Sequence, residues 1–273
     1  MNTPILNINE QNAATAFNDQ SVLFDELYSY NAIIQYKRNR VRKHVLQFLK
    51  PQADILELNA GTGEDAVFFA AQGHRVHATD ISSGMQAQLK EKISRHQLTG
   101  FVTTGLCSFT ELDKLSKNIS YDLIFSNFAG LNCTNELEKV LLSFNGLLKP
   151  GGIATLVILP KFCLWETLLV FKGKFRTATR RFFSAKGRTA HVEGNLFKCW
   201  YYSPKFIRRV LKDNFDLIGL EGLCTIVPPS YIENFAEKYP KAFRRLCAKE
   251  DKYKNKWPWK NIGDYYVITL KKK

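Results

Sequence analysis

The stretch Ile55-Leu56-Glu57-Leu58-Asn59-Ala60-Gly61-Thr62-Gly63-Glu64-Asp65 decides the fold. Four residues, Ile55 to Leu58, read as an apolar strand that runs into a glycine turn, and the turn opens a helix. Seventeen residues past Gly63, a second short strand, Val76-His77-Ala78-Thr79, ends in Asp80. A carboxylate there stands where a nucleoside ribose offers its two hydroxyls. Glycines suit the turn because a bound nucleoside must approach the backbone closely and because positive φ costs other residues more.

Gly61-Thr62-Gly63-Glu64-Asp65-Ala66 satisfies the pattern G-x-G-x-x-[GA], which serves several nucleoside cofactors. A dinucleotide pyrophosphate would rest on the helix N-terminus, drawn by its free N–H groups and partial positive charge. Here that terminus begins with Glu64 and Asp65, which favour the helix dipole and repel phosphate. Glu57 adds a third carboxylate. Acids crowded around the turn suit a ligand carrying an ammonium or a sulfonium, and S-adenosylmethionine carries both.

Outward from this turn the chain alternates. Ser21 to Leu49 has a helical pattern ended by Pro51, and within it Tyr36-Lys37-Arg38-Asn39-Arg40 is a polar, basic run placed to face a site. Residues 1–20 read as loosely ordered. After the first strand come a helix over 64–72, a strand over 75–79, a helix over 83–96 and a strand over 101–106. A buried strand, Tyr121–Ser126, a helix over 136–147, the turn Lys149-Pro150-Gly151-Gly152 and a fifth strand over 153–159 follow. Strands alternating with helices imply a parallel sheet covered on both faces. Lys161 to Ser203 breaks the rhythm as an insertion with an amphipathic basic stretch, and 197–202 reads as strand-like. A helix over 204–214, a strand over 215–221, a helix over 231–249 and a last strand, 264–270, complete the chain.

Four ordered motifs, E-L-N-A-G-T-G, the Asp80 that ends the next strand, Y-D-L-I-F-S-N-F and L-L-K-P-G-G before a strand, resemble the class I S-adenosylmethionine-dependent methyltransferases over roughly 53–160. The resemblance implies an α/β, Rossmann-like, doubly wound seven-stranded sheet with an antiparallel strand near the C-terminus. It suggests an N-terminal helical segment (1–50), a cofactor-binding core (51–160), a cap insertion after strand five (161–203) that receives substrate, and the rest of the core (204–273). It places Glu57, Asn59, Gly61 and Gly63 along the methionine and ribose portion of S-adenosylmethionine, Asp80 on the ribose hydroxyls and Ile81 against adenine. Cys107, Ser108 and Phe109 fall in the loop after the third strand, and Asn127 and Phe128 beside the reactive methyl. Two departures stand out. Asn59 and Ala60 replace the usual glycine and small residue, and Ser108 takes a position that is often acidic.

Methyl transfer from a sulfonium is an in-line displacement governed by alignment and exclusion of water, so a strong base is not obligatory. The candidates for proton handling are His191 and Glu166 in the insertion. Tyr36, Asn132, Trp165 and Tyr201 are the candidates for substrate contact, and no residue set has metal-ligand spacing. The sequence Asn127-Phe128-Ala129-Gly130 lacks the [DN]-P-P-[YF] pattern of exocyclic-amine methylation. The insertion also resembles small-molecule methyltransferases of bacterial biosynthetic clusters, and its aromatic content fits an aromatic, lipidic or carrier-bound acceptor.

The net charge of +14 is uneven: residues 1–160 carry 14 Lys/Arg against 15 Asp/Glu, and residues 161–273 carry 25 against 10. That asymmetry keeps open an RNA methyltransferase, or a non-catalytic module binding a membrane face or a partner, beside the small-molecule enzyme. The six cysteines are isolated, with no C-x-x-C pair. Together with the lack of an apolar span or a signal-like start, they predict a reduced, cytoplasmic protein.

Overall fold

A computed structural model describes residues 7–115, 119–232 and 234–273. Expectations for the first six residues and for Glu233 lie outside the described residues. The chain opens with α1 (Ile8–Gln20), α2 (Phe24–Ser29) and α3 (Ala32–Leu46), then alternates through β1 (Asp54–Leu58), α4 (Glu64–Ala71), β2 (Arg75–Asp80), α5 (Ser83–Arg95) and β3 (Val102–Leu106). It continues through β4 (Tyr121–Ser126), α6 (Leu137–Leu147) and β5 (Leu148–Ile158). The insertion holds two short helices, α7 (Leu164–Thr167) and α8 (Phe175–Thr179), and a hairpin of β6 (Arg188–Val192) and β7 (Asn195–Cys199). The last part is α9 (Pro204–Leu211), β8 (Phe215–Leu223), α10 (Phe235–Lys238), α11 (Pro240–Tyr253) and β9 (Tyr265–Lys272).

The main sheet has seven strands in the order β3-β2-β1-β4-β5-β9-β8. β1 pairs in parallel with both β2 and β4, so the strand order reverses at β1, while β9 runs antiparallel between β5 and β8. Ligands bind outside the carboxyl ends of strands at such a reversal. β1 and β4 are buried on both faces: Leu56, Leu58 and Ile124 enter one core with α6, while Ile55, Leu123 and Phe125 enter the other with Phe69, Val41 and Val45. Continuous apolar strands of this kind are what a parallel sheet under helices on both faces requires.

Four expectations are corrected. Residues 8–20 are helical, not loose. Their buried positions are Glu10, Ala13, Ala16 and Gln20, so no large apolar stripe marks the helix in sequence. The pattern over 21–49 splits at Asn31, whose side chain caps α3 by accepting from the Ile33 and Ile34 N–H groups. The expected helix over 231–249 is broken by Pro240, which cannot continue a helix and starts α11 at its first turn, with Tyr239 before it at φ −131°. The amphipathic basic stretch of the insertion is not continuous: over 164–179 it forms α7, a 3₁₀ turn over 168–172 and α8, with Gly173 left-handed (φ 70°) between the turn and α8. Among the described residues no helix is long and apolar enough to cross a membrane.

Candidate functional site: a cavity over the carboxyl ends of β1, β2 and β4

A cavity of about 300 Å³ opens where the strand order reverses, walled by the ends of β1, β2 and β4 and roofed by α1, α2 and α3. Glu57, Asn59, Gly61, Asp80, Ile81, Phe109, Asn127 and Phe128 all line it. Gly61 (φ 56°) presents bare backbone, with nothing within 4 Å of the place a Cβ would occupy. Gly63 (φ 80°) serves a different purpose: a Cβ there would lie 2.0 Å from Leu89 Cδ1, so the turn packs against α5 only without a side chain.

Asn59 adopts the left-handed conformation its position demands (φ 47°) and fastens the glycine turn to the β4 loop. Its Nδ2 donates to the Asn127 carbonyl (2.9 Å) and its Oδ1 accepts from Ser126 Oγ (2.6 Å). Gly130 makes room, since a Cβ there would fall 2.3 Å from Asn59 Cγ. In that loop Phe128 (φ 50°) and Ala129 (φ 61°) are also left-handed, a costly pairing for residues with side chains that holds the Phe128 ring in the cavity wall.

The charges are more ordered than three free acids. Asp65 is buried and accepts from Arg42 Nε (2.6 Å), Asn127 Nδ2 (2.8 Å) and Arg38 Nη1 (3.3 Å). Glu64 pairs with Lys92. The repulsion expected from these two acids is therefore largely matched by cations, a correction to the picture drawn from sequence. Glu57 is different. Its Oε2 is buried without a hydrogen-bond partner among the described residues. Burial, then the neighbouring Asp65, pushes its carboxyl well above the usual carboxylate range, against the pull of Arg38 and Arg42. Arg38 Nε is likewise buried and unpartnered. Buried polar groups left unpaired are costly, so an unmatched acid beside an unmatched guanidinium nitrogen is what a site for a ligand with ammonium and carboxylate ends requires.

Asp80 accepts from the Gly61 N–H (2.8 Å) and the Ser82 N–H (2.9 Å), which fix its carboxylate at the cavity wall. Burial raises its pKa, opposed by these backbone donors. Ser108 stands one residue outside the cavity lining, and the acid absent from its position comes from α1. Glu10 is buried, lines the cavity and accepts from Ser108 Oγ (2.8 Å) and Thr110 Oγ1 (2.9 Å). Sequence reading missed Glu10, because nothing local marks a helix that folds back over the sheet. α1 is pinned there by Asn18, whose Oδ1 accepts from Ser82 Oγ (2.6 Å) and the Gly84 N–H (2.9 Å). Asp25 accepts from Thr62 Oγ1 (2.6 Å) and ties α2 to the glycine turn.

The far end of the cavity is formed by Tyr28, Ile34, Lys37, Phe128, Ser230 and Tyr265. Lys37 is 3% exposed, and Nζ donates to Ser230 Oγ (3.1 Å). Burial opposes its charge, but Tyr265, Cys224 and Asp264 outweigh that and hold its pKa up. The loop that carries Ser230 is anchored by Glu250 of α11. The buried Glu250 carboxylate accepts from the N–H groups of Cys224 (2.9 Å), Thr225 (3.0 Å), Ile226 (2.9 Å) and Val227 (2.8 Å), and from Arg40 Nη1 (3.0 Å).

The remaining candidates lie outside this lining. Cys107 sits beside the Ser108 turn, its Sγ donating to the Ser108 carbonyl. Tyr36 packs edge-on against Phe243, its hydroxyl accepting from Arg40 Nη1 (3.0 Å). Asn132 joins three segments, donating to the Leu159 and Trp200 carbonyls and accepting from the Leu159 N–H. Trp165 Nε1 donates to the Thr225 carbonyl (3.1 Å), and Tyr201 lies under the Arg181 guanidinium (5.2 Å). His191 is exposed on the β6–β7 hairpin opposite Leu196. Glu166 is buried and accepts from Arg180 Nε (2.9 Å) and Arg181 Nη2 (2.6 Å). It also lies with Cys163 and Asp264 in a group whose potential metal-ligand atoms fall within 4.8 Å of one another. Arg181 Nη2 donates to both carboxylates, 2.6 Å to Glu166 and 2.7 Å to Asp264, which makes the group an ion cluster that ties the insertion to the start of β9. No lining residue belongs to 161–203, and the hairpin instead braces α1 through Phe197 and Phe17 (ring centroids 5.8 Å).

Residues 55–152 match the model of a methyltransferase domain. An uncharacterized methyltransferase of Synechocystis is 30% identical over 135 residues, covering 48% of this chain and 60% of that one. A polyketide synthase–nonribosomal peptide synthetase of Aspergillus flavipes is 28% identical over 169 residues, 59% of this chain and 4% of that protein. The chain thus spans less than two thirds of the length of either relative. The 1,6-didemethyltoxoflavin N1-methyltransferase of Burkholderia thailandensis, crystallised with 1,6-didemethyltoxoflavin and S-adenosylhomocysteine, shares the fold at 16% identity and a TM-score of 0.57, over 100% of this chain and 93% of that one. With the glycine turn, the terminal Asp80 and the β3-β2-β1-β4-β5-β9-β8 sheet, the match over residues 55–152 shows a methyltransferase domain on a class I, Rossmann-like fold within this chain.

Proposed function

We propose that this protein binds S-adenosylmethionine and transfers its methyl group to a small-molecule acceptor. The observation that carries the reading is the buried, unpartnered Glu57 Oε2 in a cavity placed at the strand reversal. An anionic phosphate would meet Glu57 and Asp80 there, whereas the cofactor's ammonium would match Glu57. Arg38, with its free Nε, would take the cofactor's carboxylate. Asp80 would receive the ribose hydroxyls, and Ile81, Phe109 and Glu10 would border the adenine. Bound, the cofactor supplies a sulfonium-activated methyl group.

The chain's own contribution is alignment and dryness. The Asn59 link to the β4 loop and the left-handed Phe128 hold one wall of the cavity, and residues of α1 and α2 form another. Such positioning lowers the barrier of an in-line displacement without a strong base. The roofed cavity supports a small acceptor over a polynucleotide. The six free cysteines support a cytoplasmic setting.

Calorimetric titration with S-adenosylhomocysteine tests the cofactor assignment. Wild type binds and Asp80→Ala loses at least tenfold in affinity; equal affinity of the two would remove the assignment.

A further inference from the structure

We propose that Lys37 is the recognition site for a carboxylate on the acceptor, so that the substrate is a flat or aromatic acid. This rests on the methyltransferase reading and adds the acceptor's chemical class to it. Lys37 is a buried cation that lines the cavity. Among the described residues no carboxylate oxygen lies within 4.0 Å of its Nζ: Asp65 is taken by Arg38 and Arg42, and Asp264 by Arg181. The contacts of Nζ are neutral, namely the Ser230 hydroxyl at 3.1 Å and the faces of Tyr265 (4.8 Å to the centroid) and Phe128 (5.6 Å).

Asp264, itself held by Arg181, helps to keep the Lys37 ammonium charged without pairing with it, so the place of a direct counter-ion is left to a ligand. Arg40, Arg42, Arg181 and Lys92, the other buried or half-buried cations around the site, all have carboxylate partners. Lys37 alone among these is left with hydroxyl and aromatic company at hydrogen-bond and ring-contact range. Lys37 and Arg38 are consecutive on α3 and both lie over the Phe128 ring (5.6 and 4.8 Å to its centroid), but their polar partners differ: Arg38 donates to Asp65, and Lys37 donates to Ser230 and lies over Tyr265. Two anions can thus be held in one cavity, with the cofactor's carboxylate at Arg38 and the acceptor's at Lys37. A single positive charge matches a carboxylate, whereas a phosphate dianion would bring excess negative charge close to Glu57 and Asp65. Phe128 and Tyr265, both cavity-lining, give the aromatic wall that the ring of a planar acid would meet once its carboxylate reached Nζ.

The test uses benzoate and its neutral isostere benzamide as probes, titrated by calorimetry with and without saturating S-adenosylhomocysteine. Wild type should prefer benzoate at least tenfold. Lys37→Met should abolish that preference while S-adenosylhomocysteine affinity stays within about threefold of wild type, and Lys37→Arg should retain it. Should Lys37→Met fail to fold, Ser230→Ala serves in its place and should reduce the preference. No benzoate preference in wild type, or an unchanged preference in Lys37→Met, overturns the proposal. So does a Lys37→Met variant that loses S-adenosylhomocysteine affinity and keeps its hold on benzoate, since Lys37 would then serve the cofactor. Failure of wild type to bind S-adenosylhomocysteine counts against the cofactor reading, and the titration without it still decides the role of Lys37.

Discussion

Replacing Glu57 by glutamine should stabilise the ligand-free protein and weaken cofactor binding, two effects of opposite sign from one atom. In the free protein Glu57 Oε2 is buried and unpartnered, and burial with Asp65 nearby raises its pKa. A carboxyl whose folded pKa lies above its unfolded value contributes no penalty while both states are protonated. Stability is lost as pH rises from the ordinary glutamate range, about 4.3, through the raised folded value, because the unfolded chain gives up the proton more readily. At pH 7.5 a neutral glutamine avoids that penalty. An unsatisfied buried polar group costs about 1–3 kcal/mol. Taking about 1–2 kcal/mol, since Arg38 and Arg42 offset part of the penalty, and about 2–4 °C per kcal/mol, the melting temperature should rise by roughly 2–8 °C. The same change removes a charge-assisted bond to the cofactor's ammonium, worth about 1.5–3 kcal/mol, or about 10- to 150-fold in Kd. Scanning calorimetry of the free protein at pH 5.5 and 7.5, with titration of S-adenosylhomocysteine, reads both. A variant that melts lower at pH 7.5, or that binds the ligand as tightly as wild type, refutes the reasoning.

Gly63→Ala should destabilise the fold by about 1–3 kcal/mol, because φ is 80° and the new methyl meets Leu89; Gly61→Ala, with open space, should melt closer to wild type yet bind cofactor worse. Urea melts and calorimetry separate the two. Glu250→Ala should cost about 3–5 kcal/mol by stranding four backbone N–H groups and removing one of the carboxylates on Arg40, which keeps Glu221, with a lowered urea midpoint as the readout. Glu166→Ala, which leaves the buried Arg181 with Asp264 as its one carboxylate, should lower the melting temperature, whereas His191→Ala on the exposed hairpin should leave it within about 1–2 °C, on the order expected of surface changes.

The α/β alternation and the glycine turn with its strand-ending Asp80 were legible because each is a local pattern, an apolar run, a glycine requirement, a strand ending in an acid; the antiparallel sense of the last strand followed from the family resemblance alone. Glu57, Asp80, Asn127 and Phe128 could be placed for the same reason, since strand ends at a topological reversal converge whatever the loops do. What escaped was every contribution made at long range. Glu10 reaches Ser108 across 98 positions of sequence, and Lys37 meets Ser230 across 193. α1 was unreadable because it buries alanines and a glutamate instead of a leucine stripe. The insertion drew attention through its tryptophan, glutamate and histidine. Its glutamate and arginines neutralise one another, which builds a brace and leaves the cavity to α1, α2 and α3.

The central claim is tested most directly by following a methyl group. Purified protein is incubated with S-adenosylmethionine carrying an isotopically labelled methyl and with a fractionated cell extract, and the label is traced by mass spectrometry. The account predicts label in a low-mass organic product, present with wild type and lost with Asp80→Ala. Label confined to nucleic acid, or none transferred by a protein that is folded and supplied with cofactor, would contradict it.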